Sequence, residues 1–259
     1  MIFCKSLVSV PCMMLKKDKG ICIRTTDYSE SSQILTFFTR DSGKIGVIAK
    51  GSRRPKSSFS GAIEVCVVGD MVFSLRDNEK LGTLTEFNPT FFGHELRKKL
   101  FALNCAFFAA ELLNLFTKEH DRHSELFDEA VLFLHRLCEN PDDKALAFLI
   151  LFQLSLLAQT GSQPVCDSCA NCKRKFNADW KQFYFSASAS GLICRDCESA
   201  FADKKVITFE CACCLNQPSK ILSSQTSALA GVEKILIEYI TGVVERPLRT
   251  ADMILKLIK

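Results

Sequence analysis

The sequence lacks both a long apolar run and a secretion signal. Its most apolar stretch covers residues 145–158 and is interrupted by Gln153 and Ser155, whereas a membrane helix needs about 18–20 apolar residues. We therefore expect a buried core helix there and no membrane contact. Lys5 interrupts the first apolar residues, and no clear small-residue cleavage site follows. These absences predict a cytoplasmic protein.

The sequence also lacks the common catalytic motifs. It contains no GxSxG, no set of kinase motifs and no GxGxxG after a predicted strand. Residues 41–44 are similar to the end of a phosphate-binding loop, but Phe38 stands where that loop requires its first glycine. His120 and His123 are expected in a surface turn. We therefore predict that the protein is not an enzyme.

Acidic residues are absent between Ser42 and Ile63. Residues 1–90 hold 13 Lys and Arg against 9 Asp and Glu, while the remaining residues hold 20 of each, so the first third carries the whole net charge of +4. This distribution indicates an anionic partner for the N-terminal part. A charge that serves solubility alone is the alternative.

Fourteen cysteines distinguish the chain. In a cytoplasmic protein they indicate reduced thiols and metal ligands rather than disulfides. Two CxxC pairs, separated by 21 residues, have the layout of a zinc ribbon, and four thiolates close the zinc shell so that the ion is structural. We predict one zinc ion on Cys169, Cys172, Cys194 and Cys197.

Other cysteines leave alternatives open. Cys166 lies three residues before Cys169, so these two could form the first pair in place of Cys169 and Cys172. Cys211, Cys213 and Cys214 are expected as small apolar residues of a strand or a buried helix start rather than as a second metal site.

Two periodicities divide the chain. Short segments rich in Ile, Val, Phe and Thr predict strands over residues 20–26, 33–39, 44–50, 63–75 and 81–87, with a bulge at Gly69. Five such strands suit an oligonucleotide-binding (OB) barrel, although an SH3-like barrel has a similar strand count. Apolar residues at three- and four-residue steps then predict helices from Phe92 onward, first over Leu96, Leu100, Leu103, Phe107, Phe108, Leu112 and Leu115.

Later helices are predicted from their capping residues. Ser124 is expected to cap a helix over 125–138, and Asp142 and Asp143 to cap one that ends near Gln159, before Gly161. Two more helices are expected over 227–244 and 248–258. The fold class is thus α+β, a five-stranded OB-like barrel followed by an all-helical domain that carries a zinc-ribbon insertion.

These predictions divide the chain into five regions. They are an N-terminal extension (1–13), the nucleic-acid-binding barrel (14–90), the helical domain in two parts (91–160 and 219–259) and the ribbon insertion between them (161–218). Met13 or Met14 is an alternative start of translation.

A basic loop follows the third predicted strand. It contains Lys50, Arg53, Arg54 and Lys56, and Lys44 lies on the strand itself. Such cations suit phosphate oxygens, and Ser52, Ser57 and Ser58 would add short hydrogen-bond donors. Phe37, Phe38 and Phe59 could stack on bases, but a role in the core is favoured for them. A solvated loop without a ligand is the alternative for the basic residues.

The order of these segments resembles the RecO family of bacterial recombination mediators. The resemblance rests on residues 36–56 (TFFTRDSGKIGVIAKGSRRPK), 161–172, 190–194 (SGLIC) and 246–250 (RPLRT), and it spans roughly residues 14–258. It implies binding and annealing of single- and double-stranded DNA. It also implies a RecR-like partner, a RecA-type recombinase, docking of the acidic tail of single-stranded DNA-binding protein, and a nucleoid location.

The resemblance also implies which residues bind DNA. They are Arg24, Lys44, Lys50, Arg53, Arg54 and Lys56, with Arg246 and Arg249 as secondary candidates. Two other hypotheses are a protein-interaction adaptor in replication and repair, with incidental nucleic-acid binding, and a zinc-ribbon enzyme acting on nucleic acid. The enzyme would need a carboxylate cluster or an open metal site, which the sequence does not offer convincingly.

Overall fold

The computed structural model describes residues 15–54, 57, 59, 61–75, 81–91 and 93–258. Its first part is a closed barrel in which the strands follow the order β1–β2–β3–β5–β4 and β4 pairs again with β1. The strands are β1 Leu15–Ser29, β2 Ser32–Thr39, β3 Gly43–Ala49, β4 Val68–Ser74 and β5 Gly82–Phe91. The predicted OB-like barrel is therefore confirmed. The predicted extension over residues 1–13 lies outside the described residues.

Alternation of side chains explains why these segments close into a barrel. In β2 and β3, Leu35, Phe37, Ile45 and Val47 point inward and are fully buried, while the residues between them are partly exposed. A period of two places every second residue on the same face of a strand. The barrel interior is thus filled by its own apolar cluster.

Three strands differ from the predicted bounds, and one of them, β5, ends at Phe91 rather than at Phe87. β1 begins at Leu15 because its backbone pairs with β4 from Leu15 to Ile21, although three lysines make this part look polar in sequence. β4 begins only at Val68, since Cys66 has a left-handed backbone with φ of 69°. The register shift between Val68 and Gly69 confirms the predicted bulge.

The described residues that follow the barrel form six α-helices. They are α1 Leu100–Phe116, α2 Ser124–Glu139, α3 Ala145–Gln159, α4 Phe209–Asn216, α5 Thr226–Val244 and α6 Ala251–Leu257. Of these, α1 and α2 contact the strands of the barrel. The apolar run over 145–158 forms α3, which contacts α1, α2 and α5 and is confirmed as a core helix. Among the described residues, no helix is both long and apolar enough to cross a membrane.

Several details of the helical prediction are wrong, including its start, because α1 begins at Leu100 rather than near Phe92. The residue that precedes α2 is His123 rather than Ser124, and its side chain makes no capping bond. Asp142 caps a different helix, since its Oδ1 accepts the backbone N–H of Ala102 in the first turn of α1 at 2.8 Å. Leu100 and Phe107, part of the apolar period, are exposed. Spacing along one helix does not reveal which face meets a neighbour.

A small sheet is inserted between α3 and α4. It contains β6 Phe183–Ser186, β7 Gly191–Cys194 and β8 Lys205–Ile207, with β6 in the centre. Cys211, Cys213 and Cys214 all lie inside α4, which packs on α5. The prediction of buried apolar residues is confirmed for Cys211 and Cys214, whereas Cys213 is partly exposed.

The barrel and the helices share a core at their junction. Ile21, Ile23 and Phe38 point out of the barrel and join the apolar cluster of the helices. Arg40, at the end of β2, donates two hydrogen bonds to the Asp128 carboxylate on α2, at 2.9 and 2.8 Å. Helices therefore contact the Arg40 end of the barrel, and we call the opposite end, which carries the β1–β2 hairpin, the free end.

Candidate nucleic-acid interface and metal centre

The free end of the barrel brings the β1–β2 hairpin next to the segment that leaves β3. Asp27 pairs with Gln33, and Gln33 pairs with Ala49, so the three strands reach this end together. The backbone N–H of Arg53 donates to the carbonyl of Ser31 at 3.1 Å. The Arg53 guanidinium also contacts the Asp27 carboxylate. The basic segment is thus fixed to the hairpin.

A buried polar cluster holds the start of this segment in place. The hydroxyl of Ser52 is fully buried and donates to Gln33 Oε1 at 3.0 Å. Gln33 also bonds both backbone groups of Ile63, at 3.1 and 3.0 Å. The prediction that Ser52 offers a donor to a ligand is therefore wrong. Its hydroxyl is already used inside the protein.

Several predicted contact residues lie around this end with exposed side chains. Lys50 and Arg54 are exposed at the exit of β3, and Arg24 is exposed on β1. The outward face between them, which we call the open strand face, consists of Arg24, Thr26, Ile34, Thr36, Gly46 and Ile48, paired across β1, β2 and β3. It carries no acidic side chain. Lys56 lies outside the described residues.

Lys44, Arg246 and Arg249 form a separate group at the junction with the helices. Lys44 is six residues from Lys50, roughly 20 Å along an extended strand. Its Nζ donates to the carbonyl of Asn114, in the last turn of α1, at 2.7 Å. Burial lowers the pKa of Lys44, the nearby charge of Arg246 lowers it further, and Glu119 opposes both. Arg246 and Arg249 are exposed.

The aromatic residues of the barrel differ in their exposure. Phe37, Phe38 and Phe59 are buried, which confirms the favoured prediction of a role in the core. Tyr28, at the tip of the β1–β2 hairpin, is 63% exposed instead. The sequence reading missed Tyr28 because the residue lies beyond the predicted end of β1. An aromatic residue directly before a turn was the available signal.

The two CxxC pairs come together in the ribbon. The sulfur atoms of Cys169, Cys172, Cys194 and Cys197 all lie within 4.8 Å of one another. Those of Cys172 and Cys194 are 3.7 Å apart, and a tetrahedral zinc site with bonds of about 2.3 Å requires about 3.8 Å between sulfurs. This geometry suits a metal ion held by four thiolates. Cys166 does not belong to the group.

Neighbouring groups shift the pKa values of two of these thiols in opposite directions. Burial would raise the pKa of Cys169, but the backbone N–H groups of Cys194, Cys172 and Asn171 outweigh it and lower that pKa to about 7. Burial raises the pKa of Cys194 to about 12, and bonds with the other thiols raise it too. Thiols packed this closely share protons that a divalent cation displaces. Lys173 adopts a left-handed turn, with φ of 62°, that closes the first pair.

Comparison with known proteins agrees with this architecture. The family model for the N-terminal part of recombination protein O matches residues 13–91, and the model for its C-terminal part matches residues 97–252. Together they cover most of the chain. This chain belongs to the RecO family. The N-terminal RecO model thus covers the barrel, and the C-terminal RecO model covers the ribbon and most of the helical part.

Individual relatives support the same assignment. The DNA repair protein RecO of Caldanaerobacter subterraneus is 30% identical over 95% of this chain and 99% of its own length. The proteins of the same name from Bacillus pumilus and Bacillus subtilis are each 33% identical. The first match covers 72% of this chain and 70% of the relative, and the second covers 71% and 69%.

Proposed function

We propose that this RecO-family chain is a non-enzymatic recombination mediator that binds and anneals DNA. In this role it helps to load a recombinase onto strands covered by single-stranded DNA-binding protein. The observation that carries the proposal is the basic rim, the exposed side chains of Lys50, Arg53 and Arg54 at the free end of the barrel. It lies next to the open strand face, which has no acidic side chain.

Charge neutralisation is the mechanism that these residues support. Two complementary strands repel each other until cations replace their counterions. Arg24, Lys50, Arg53 and Arg54, with Lys56 next along the chain, would bind phosphates without reading bases. Contacts of this kind are loose enough for strands to search for their complement. No proton transfer is required, so the function needs no catalytic group.

The junction group is proposed as a second, weaker contact. Arg246 and Arg249 are exposed, and Lys44 lies close to Arg246. The ammonium of Lys44 is already bonded to a helix carbonyl, so we assign its main role to the junction itself. DNA that extends from the rim could reach Arg246 and Arg249.

One zinc ion is proposed on Cys169, Cys172, Cys194 and Cys197. Four thiolates leave no position open for water or substrate, so the ion would stabilise the ribbon and perform no reaction. The Arg174 side chain, which pairs with Asp196 at 2.7 Å, would link the two CxxC pairs and offset the negative charge of the thiolates.

An apolar groove between β8 and α5 is proposed as the site for the tail of single-stranded DNA-binding protein. It is lined by Val206, Ile207, Ile235 and Leu255, and it has Lys205, Lys234 and Glu238 at its edge, where Glu238 pairs with Lys205. An acidic tail with an apolar end fits this combination, and Lys234 is exposed to receive a carboxylate. A RecR-like protein and a RecA-type recombinase are proposed as further partners, in a cytoplasmic, nucleoid-associated setting.

The alternative function is that of a protein-interaction adaptor, which the same groove would serve. An annealing assay separates the two functions. Labelled complementary oligonucleotides are mixed with wild type, with Arg53→Ala/Arg54→Ala, or with Lys144→Ala/Lys220→Ala, which removes two exposed lysines outside the barrel. If the chain is a mediator, wild type and the lysine control should accelerate annealing, and the arginine variant should not. Equal annealing with and without protein would favour the adaptor.

A further inference from the structure

Tyr28 is an exposed aromatic side chain at the free end of the barrel. It is 63% exposed, whereas Tyr184 and Tyr239, the other tyrosines of the chain, are 6% and 3% exposed. Scattered apolar side chains are common on protein surfaces and need no explanation by themselves. The position of Tyr28 in the strand provides a second observation.

Tyr28 occupies a β-bulge. Asp27 pairs with Gln33 and Ser29 pairs with Ser32, so Tyr28 is an extra residue without a partner in β2. A bulge of this kind turns the strand and gives the extra side chain a new direction. The Tyr28 side chain is thus exposed at the hairpin tip.

The charges around the ring define what it could bind. Arg53 contacts Asp27, the residue before Tyr28, and its backbone is bonded to Ser31, just after the hairpin tip. Glu30 is exposed at the turn, so the tip itself offers no net attraction to phosphate. A DNA backbone is attracted to the neighbouring Arg53 and Arg54, while its bases are free to reach the tip.

We propose that Tyr28 stacks on an unpaired nucleobase and thereby gives this end of the barrel a preference for single-stranded over duplex DNA. The proposal rests on the DNA binding proposed above. Faces of paired bases are covered by their neighbours in a duplex, whereas an unpaired strand exposes them. Aromatic stacking tolerates every base, so the preference concerns strand state and not sequence.

Binding to three probes of equal length tests this proposal. They are a single-stranded oligonucleotide, the same strand with abasic sites throughout, and a duplex. The variants are Tyr28→Ala, Tyr28→Phe and, as a control for loss of an exposed apolar side chain on the barrel, Leu15→Ala. A 2-aminopurine base in the single strand reports stacking by loss of its fluorescence.

We expect Tyr28→Ala to weaken binding to the normal single strand by roughly 5- to 150-fold, and to leave binding to the abasic strand and the duplex unchanged. Tyr28→Phe and Leu15→Ala should behave as wild type. The stacking role would be overturned, while DNA binding stands, if Tyr28→Ala lost the same affinity for normal and abasic strands. It would also be overturned if Tyr28→Ala changed neither the affinity for the single strand nor the 2-aminopurine fluorescence. Failure of wild type to bind any probe would overturn both proposals.

Discussion

Arg53 and Asp27 form an ion pair across the free end of the barrel, between the exit of β3 and the β1–β2 hairpin. Their side chains are 37% and 64% exposed, so water screens the pair and it contributes little to stability. A phosphate can replace the carboxylate at low cost. In the proposed DNA-binding role, Asp27 would therefore compete with DNA for Arg53.

Removing the Asp27 charge should strengthen DNA binding. Asp27→Asn frees Arg53 and removes a repulsive charge, and we expect the dissociation constant for DNA to fall about two- to fivefold. Fluorescence anisotropy at low salt measures the change. Asp70→Asn removes an exposed carboxylate from β4 and serves as the control. An unchanged affinity of Asp27→Asn, with weakened binding by Arg53→Ala, would contradict the competition.

Zinc should be required for the fold of the ribbon. We expect purified protein to contain one equivalent of zinc, and chelation to change the fluorescence of Trp180, the only tryptophan, which packs on Phe176 and Phe183 in the ribbon. Cys197→Ser should lose the metal, whereas Cys166→Ser should keep it. Well under one equivalent of zinc with an intact ribbon would show that the four thiols need no metal.

Gly43 should be required at the junction between barrel and helices. It has φ of 71°, and an added Cβ would lie 2.3 Å from the backbone oxygen of Asp121. Gly161 has the same φ but nothing within 4 Å of an added Cβ. Gly161→Ala should therefore lower the free energy of unfolding by about 1 kcal/mol, the cost of backbone strain alone. Gly43→Ala should lower it by clearly more. Urea unfolding compares them, and equal losses would exclude the steric contribution.

Glu233 should make stability depend on pH. Burial raises its pKa from 4.5 to about 8, although a hydrogen bond from Gln153 Nε2, at 2.7 Å, opposes the rise. The folded state thus holds a proton that the unfolded chain releases above pH 4.5. This stabilisation is complete below pH 4.5 and is lost as the pH rises through 8.

Comparison of wild type with Glu233→Gln isolates this effect. Relative to the variant, wild type should lose up to about 1.4 kcal/mol of unfolding free energy per pH unit between pH 4.5 and 8. Glu139→Gln, which changes an exposed carboxylate, should follow wild type. Parallel curves for wild type and Glu233→Gln in urea titrations would show that Glu233 is charged in the folded protein.

Local sequence patterns predicted the class of the barrel, the bounds of two of its strands and the four clustered thiols of the ribbon. Alternation in residues 33–39 and 44–50 predicted β2 and β3 within one or two residues. The spacing of the CxxC pairs predicted which four thiols meet. These features depend on residues that are close together in the chain, so a short-range sequence pattern predicts them.

Tertiary relationships were not available from sequence. Ser52 looked like a loop residue, but its hydroxyl is buried against Gln33 from another strand. Lys44 looked like part of the basic loop, although it points to the last turn of α1. Asp142 caps α1 and not the helix that follows it. In each case the partner is distant in sequence, so spacing alone carries no signal.

Binding of DNA to the free end of the barrel is the central claim, and a fluorescence-anisotropy titration across salt concentrations tests it most directly. We predict tight binding of single strands by wild type at low salt, with a steep loss as salt rises. Arg53→Ala/Arg54→Ala should reduce the slope of log K against log salt by about 0.7 for each lost phosphate contact. No binding at low salt by folded, zinc-loaded protein would contradict the account.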